Sequence, residues 1–91
     1  MINEPFLSAW TRRHGYPDIT IWVEIPWRML TANRYMRLIL DERYAIWGWD
    51  NLGYAPCTFY ARGLDKREIG FRTLEDWTLF RLMFADDLTR V

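Results

Sequence analysis

Histidine, cysteine and lysine are almost missing from this chain of 91 residues: His14, Cys57 and Lys66 are the single representatives of their types. One cysteine excludes an intramolecular disulfide and predicts a reducing, cytoplasmic setting. One Cys and one His are too few for a structural zinc site of the usual kind. A nucleophilic dyad or triad built on histidine would have to use His14, which follows Arg12 and Arg13 at a predicted helix end and reads as a surface residue. Glycine and proline are sparse, at five and four residues. Gly48, Gly53, Gly63 and Gly70 are dispersed and form no phosphate-cradling loop. No apolar run approaches the roughly 18 residues of a membrane span; runs such as Leu82–Ala85 are far shorter. Met1–Pro5 lacks the basic start and apolar stretch of a signal peptide.

Acidic chemistry is equally thin. Asp41-Glu42 and Asp86-Asp87 are adjacent pairs without calcium-loop spacing. Glu24 and Glu68 fall on predicted strands, but nothing in the sequence sets their separation, so no acid/base pair is built on them. The chain therefore reads as a protein without cofactor or metal and not as an enzyme. Twelve basic residues balance twelve acidic ones. That balance excludes a strongly basic nucleic-acid binder and an acidic nucleic-acid mimic.

What the chain does have is aromatic surface: six Trp, five Tyr and five Phe. A small chain buries a low fraction of its unfolded surface, and side chains of about 150–250 Å² each are an efficient compensation. All the basic residues but Lys66 are Arg. Arginine stacks on aromatic rings and pairs bidentately with carboxylates.

The pattern predicts one domain over residues 1–91, with an N-terminal helix, 4–14, packed on an α+β core over 19–86. Asn3 and Pro5 suit a helix start, Phe6 and Trp10 share a face, and Gly15 ends the segment. Residues 19–25 alternate as a strand, with Ile19, Ile21, Val23 and Ile25 on one face and Thr20, Trp22 and Glu24 on the other. Met29, Ala32, Met36, Ile39 and Leu40 make a helical stripe over 27–43. Strands are predicted at 44–49, 57–62 and 67–72, with Cys57, Phe59 and Ala61 inward. Residues 63–66 form a short hairpin connection. Thr73 and Asp76 form a capping box for a helix at 74–86 that is apolar on more than one face. The sum is a two-layer α+β sandwich in the order helix, strand, helix, three-strand meander, helix. It resembles an incomplete ferredoxin-like plait.

Two stretches resemble known families. Arg67-Glu68-Ile69-Gly70-Phe71-Arg72-Thr73-Leu74 resembles the octapeptide of the RNA-recognition motif at Arg67, Gly70 and Phe71. It departs from that motif at Glu68, Ile69, Arg72 and Leu74. RNA stacking would need Ile69 and Phe71 outward, whereas burying them is the cheaper phase. Residues 70–82, through Phe71, Glu75-Asp76 and Leu79-Phe80-Arg81-Leu82, resemble the ending of small tailed-phage accessory proteins, roughly F-x-x-E-x-D-x-x-L-F-K/R-L. That resemblance implies a phage-encoded protein in the host cytoplasm and transfers no catalytic residue.

The expected function is a small binding protein, an inhibitor or modulator of a host factor acting by stoichiometric contact. Trp22, Trp47, Trp49 and Tyr60, with Arg62 and Arg72, are the candidate surface, since Trp, Tyr and Arg dominate contact hot spots. Self-assembly, including a homodimer through helix 74–86 or a virion component, is the second reading. A nucleic-acid or nucleotide binder stacking bases on the same aromatic face is the third.

Overall fold

Ile21 and Val23 alternate with Trp22 and Glu24 along a strand, and that alternation organises the molecule. A computed structural model of the chain describes residues 7–10, 16–61 and 64–89, and the side chains of 16–58 and 67–89. The described residues form six strands: β1 (Leu7–Trp10), β2 (Ile21–Glu24), β3 (Leu30–Ala32), β4 (Leu38–Leu40), β5 (Cys57–Ala61) and β6 (Leu64–Phe71). Three helices, α1 (Glu42–Asn51), α2 (Leu74–Met83) and α3 (Ala85–Thr89), complete the α+β fold. Four strands form an antiparallel sheet in the order β1-β2-β6-β5, and β3 and β4 form a separate hairpin.

Register assigns the two faces of the larger sheet. Ile21 pairs with Phe71 and Val23 with Ile69, while Trp22 pairs with Gly70 and Glu24 with Glu68. Partners directly opposite each other share a face. The first set meets the helices. Ile21, Val23, Ile69 and Phe71 join Tyr44 of α1, Trp77 and Phe80 of α2, and Leu88 of α3 in one buried cluster. Phe80 is its hub, with ring centroids 5.2 Å from Phe71, 5.8 Å from Trp47 and 4.9 Å from Phe84. The β3–β4 hairpin adds Leu30 and Leu40 to this cluster. Sheet and helices are thus two layers around an aromatic core, as the sequence predicts.

Several elements differ from their sequence-based assignment. Residues 7–10, expected inside a helix, are a strand. Leu7, Ala9 and Trp10 pair with Val23, Trp22 and Ile21 along the edge of β2 left open by β6. Local helix signals yield there to tertiary pairing. The predicted helix 27–43 is replaced by a 3-10 turn, Trp27–Met29, and the hairpin. Asn33 explains this: its side chain accepts from the Tyr35 and Arg37 N–H groups at 2.9 and 3.0 Å, closing a turn where a helix would have to continue. The predicted strand 44–49 lies inside α1. Asp41 caps that helix by accepting from the Arg43 N–H at 3.1 Å. Tyr44, Trp47 and Gly48 then face inward at helical spacing.

The helix at 74 begins as expected, with Thr73 accepting from the Asp76 N–H at 3.1 Å. It stops at Phe84, whose backbone leaves the helical region, and α3 follows. Residues 64–66, expected in the hairpin connection 63–66, belong to β6, while residue 63, His14 and Arg62 lie outside the described residues, as does most of the predicted helix 4–14. Among the described residues, no helix is long and apolar enough to cross a membrane.

Candidate functional site

The predicted surface residues separate. Trp22 lies on the sheet face away from the helices, as its alternation requires, but is fully buried. Tyr16 packs edge-on against it at 5.1 Å. Its ring also occupies the space over Gly70, where a Cβ would come within 2.9 Å of the indole. Trp47 is on α1 and not on a strand, with its ring 5.8 Å from Phe80 and 5.4 Å from Phe84, on the core side. Neither indole is free to form the outer aromatic face that the sequence suggested. Tyr60 lies on β5 with its side chain outside the described set, and Arg62 is outside it altogether.

Trp49 and Arg72 are brought together. They border one open cleft of about 300 Å³, shared with Tyr16, Asp18, Tyr54 and Cys57. Trp49 stands on the last turn of α1 with 64% of its surface exposed. That placement follows from how the helix ends. The Leu52 and Gly53 N–H groups both donate to the Gly48 carbonyl, at 2.7 and 3.1 Å. The chain then folds back so closely that a Cβ on Gly48 would lie 2.7 Å from the Tyr54 carbonyl oxygen. Only a residue without a side chain permits this approach.

Tyr54, delivered by that turn, is the keystone of the cleft. Its hydroxyl donates to Asp76 Oδ2 at 2.7 Å and accepts from the Arg72 N–H at 2.8 Å. Thr20 Oγ1 donates to the Arg72 carbonyl at 2.9 Å. The Arg72 backbone is therefore held from both sides. Its guanidinium lies over the Tyr54 ring, 4.4 Å from the centroid, and has no carboxylate partner among the described residues. Burial drives the Tyr54 phenol well above its ordinary pKa. The Arg72 N–H opposes that shift, and the hydrogen bond to Asp76 reinforces it. The hydroxyl is thus a fixed structural donor and not a proton-transfer group at neutral pH.

Cys57 faces this cleft and not the helix layer: it pairs with Gly70, on the Trp22 face. The expected inward phase of β5 is reversed at its start. Thr58 takes the core-side register opposite Ile69 and donates to the Leu38 carbonyl at 3.3 Å. Burial pushes the Cys57 thiol up, which keeps it protonated and a poor nucleophile. Glu24 and Glu68 do share a face, in register, with Glu68 buried and Glu24 exposed beside Arg67 at 3.4 Å. No group of three or more His, Cys, Asp or Glu side chains among the described residues could hold a metal ion.

Tyr54 and Tyr16 carry no periodic signal and escape a reading of the sequence. The usable clue is Asp41 as a helix cap followed by glycines at 48 and 53, which together mark a helix end and place Trp49 beside it. No family model matches the chain, and no curated protein or solved structure matches it.

Proposed function

We propose that this protein is a small non-enzymatic binding protein that acts by stoichiometric contact, with the Trp49–Tyr54–Arg72 cleft as its anchor. One observation carries the reading: an exposed indole and a guanidinium with no carboxylate partner among the described residues border the same cleft, on a floor fixed by the Tyr54 hydroxyl. Trp, Tyr and Arg are the residue types that concentrate binding energy at interfaces. A floor that is already rigid loses little entropy on association. The cleft is open and small, suited to one or two side chains of a protein partner and not to the enclosure of a metabolite. The resemblance of residues 70–82 to tailed-phage accessory proteins supports a host factor as that partner, and an inhibitory or modulating role.

The test is a comparison of immobilised wild type, Trp49→Ala and Arg72→Glu in the same host extract, followed by quantitative mass spectrometry. The expected result is one protein captured near equimolar ratio by wild type and reduced at least tenfold by each variant, with thermal melts unchanged. Equal capture by all three proteins, or no enriched protein, contradicts the proposal.

A further inference from the structure

The tip of the β3–β4 hairpin is a second surface, basic and apolar. Four hydrogen bonds fix its shape. The Asn33 side chain accepts from the Tyr35 and Arg37 N–H groups. The Met36 N–H donates to the Asn33 carbonyl, and the Asn33 N–H to the Arg37 carbonyl, both at 2.9 Å. This frame displays large side chains: Tyr35 is 71% exposed and Met36 82%. Met36 also holds φ at +62°, where glycine or asparagine is the ordinary choice. A bulky apolar side chain kept on a strained backbone, with so little of it covered, points to a use outside the molecule. Charge around the tip has one sign. Residues 25–40 hold Arg28, Arg34 and Arg37 and no acidic residue. Glu24 and Asp41, which bracket that stretch, are engaged, Glu24 with Arg67 at 3.4 Å and Asp41 with the Arg43 N–H. Arg28, at the base, donates to the Asp86 and Asp87 carbonyls, so the charges of the tip are Arg34 and Arg37. The Arg34 guanidinium lies over the Tyr35 ring, 5.2 Å from its centroid, and has no carboxylate partner among the described residues. Behind the tip, Thr31 and Ile39 pair in register and are both exposed, so the face continues uncharged.

We propose that this tip docks on an anionic phospholipid surface, with Met36 at the acyl boundary, Tyr35 at the level of the headgroups and Arg34 on a lipid phosphate. Each residue type suits its level. Guanidinium groups pair with phosphate oxygens, tyrosine concentrates at membrane–water interfaces, and methionine is apolar and adaptable. A hairpin tip is convex, and a bilayer receives a convex apolar point without a preformed pocket. A soluble polyanion would satisfy Arg34 and leave Met36 in water. A second copy of the tip would set Arg34 and Arg37 against their own kind in a desolvating contact. Two apolar side chains bury little area, so the contact is peripheral, reversible and dependent on the anionic charge.

The inference is independent of the Trp49 cleft, and its test separates the two. The full chain is sedimented at low salt with vesicles of phosphatidylcholine and phosphatidylserine in equal parts, and with vesicles of phosphatidylcholine alone. Binding is expected to the first and not to the second, and to fade as salt is added. Arg34→Glu and Met36→Gly should each weaken it about tenfold, one by reversing the charge and the other by removing the apolar point. Met36→Gly relieves the backbone, so its melting temperature should rise while its binding falls; no loss of folding produces that pair of results. Tyr35→Ser should weaken binding in the same direction, and Trp49→Ala should leave it unchanged. Circular dichroism melts confirm that the Arg34 and Tyr35 variants fold. No sedimentation with the anionic vesicles, equal sedimentation with both kinds, or binding unchanged in the tip variants overturns the inference. So does binding that falls with Arg34→Glu and survives both Met36→Gly and Tyr35→Ser, because charge alone would then hold the protein and a soluble polyanion would serve as well.

Discussion

At the Tyr54 hydroxyl, one oxygen ties the loop after α1 to the start of α2 and to the end of β6. Tyr54→Phe leaves the Arg72 N–H and the Asp76 carboxylate to find water. The loss should be about 1–2 kcal/mol in a urea titration, in the range of a charge-assisted hydrogen bond. The same variant should also free the Arg72 backbone and so weaken any partner held by the cleft. Met36 is the opposite case, a position where the native residue costs stability. It is exposed to 82% at the tip of the β3–β4 hairpin and holds φ at +62°. Left-handed backbone disfavours a residue with a Cβ. Met36→Gly should therefore raise stability by about 0.5–1 kcal/mol, read as a higher melting temperature. A drop would mean that the methionine side chain contributes a contact that its exposure does not suggest.

At the scale of elements, α2 depends on its first turn. Thr73 satisfies the Asp76 N–H, but the reciprocal half of a capping box is diverted, because the Asp76 carboxylate accepts from Tyr54 instead. Thr73→Ala should cost about 1 kcal/mol in chemical denaturation, the usual loss of a helix cap. Elements whose signal is strictly local were legible in the sequence. These are the alternating β2, the Phe71-bearing β6 and the Thr73 start of α2. Elements decided by partners were not. Residues 7–10 carry helix-compatible spacing, but the open edge of β2 supplies hydrogen bonds that an isolated helix cannot match. Residues 27–40 satisfy a helical stripe, yet the Asn33 side chain closes a turn within it. Tyr44–Trp49 has the aromatic and β-branched content of a strand, and the Asp41 cap decides for a helix. For the site, Trp49 and Arg72 were identifiable by residue type. Trp22 and Trp47 were misassigned to the surface because alternation states which face a side chain takes and not what covers that face.

On the scale of the whole molecule, the aromatic content divides between two faces of one sheet and a limited exterior. Burial raises the pKa of Tyr54, Tyr44 and Cys57. The unfolded chain releases these protons near ordinary values of 10.0 for tyrosine and 9.0 for cysteine. Groups raised in the folded state stabilise it below those values and cease to do so as pH climbs past them. The urea midpoint should therefore hold steady to about pH 8 and fall between about pH 9 and pH 11. Tyr54→Phe should flatten part of that fall. The division of the indoles is tested most directly by partial oxidation of the native protein with N-bromosuccinimide, mapped by peptide mass spectrometry. Trp49 and Trp27, both mostly exposed, should react first; Trp22 and Trp77, fully buried, should survive until the protein is denatured. Oxidation of Trp22 or Trp77 as fast as Trp49 in the native state would contradict both the covered sheet face and the free indole on which the binding role rests.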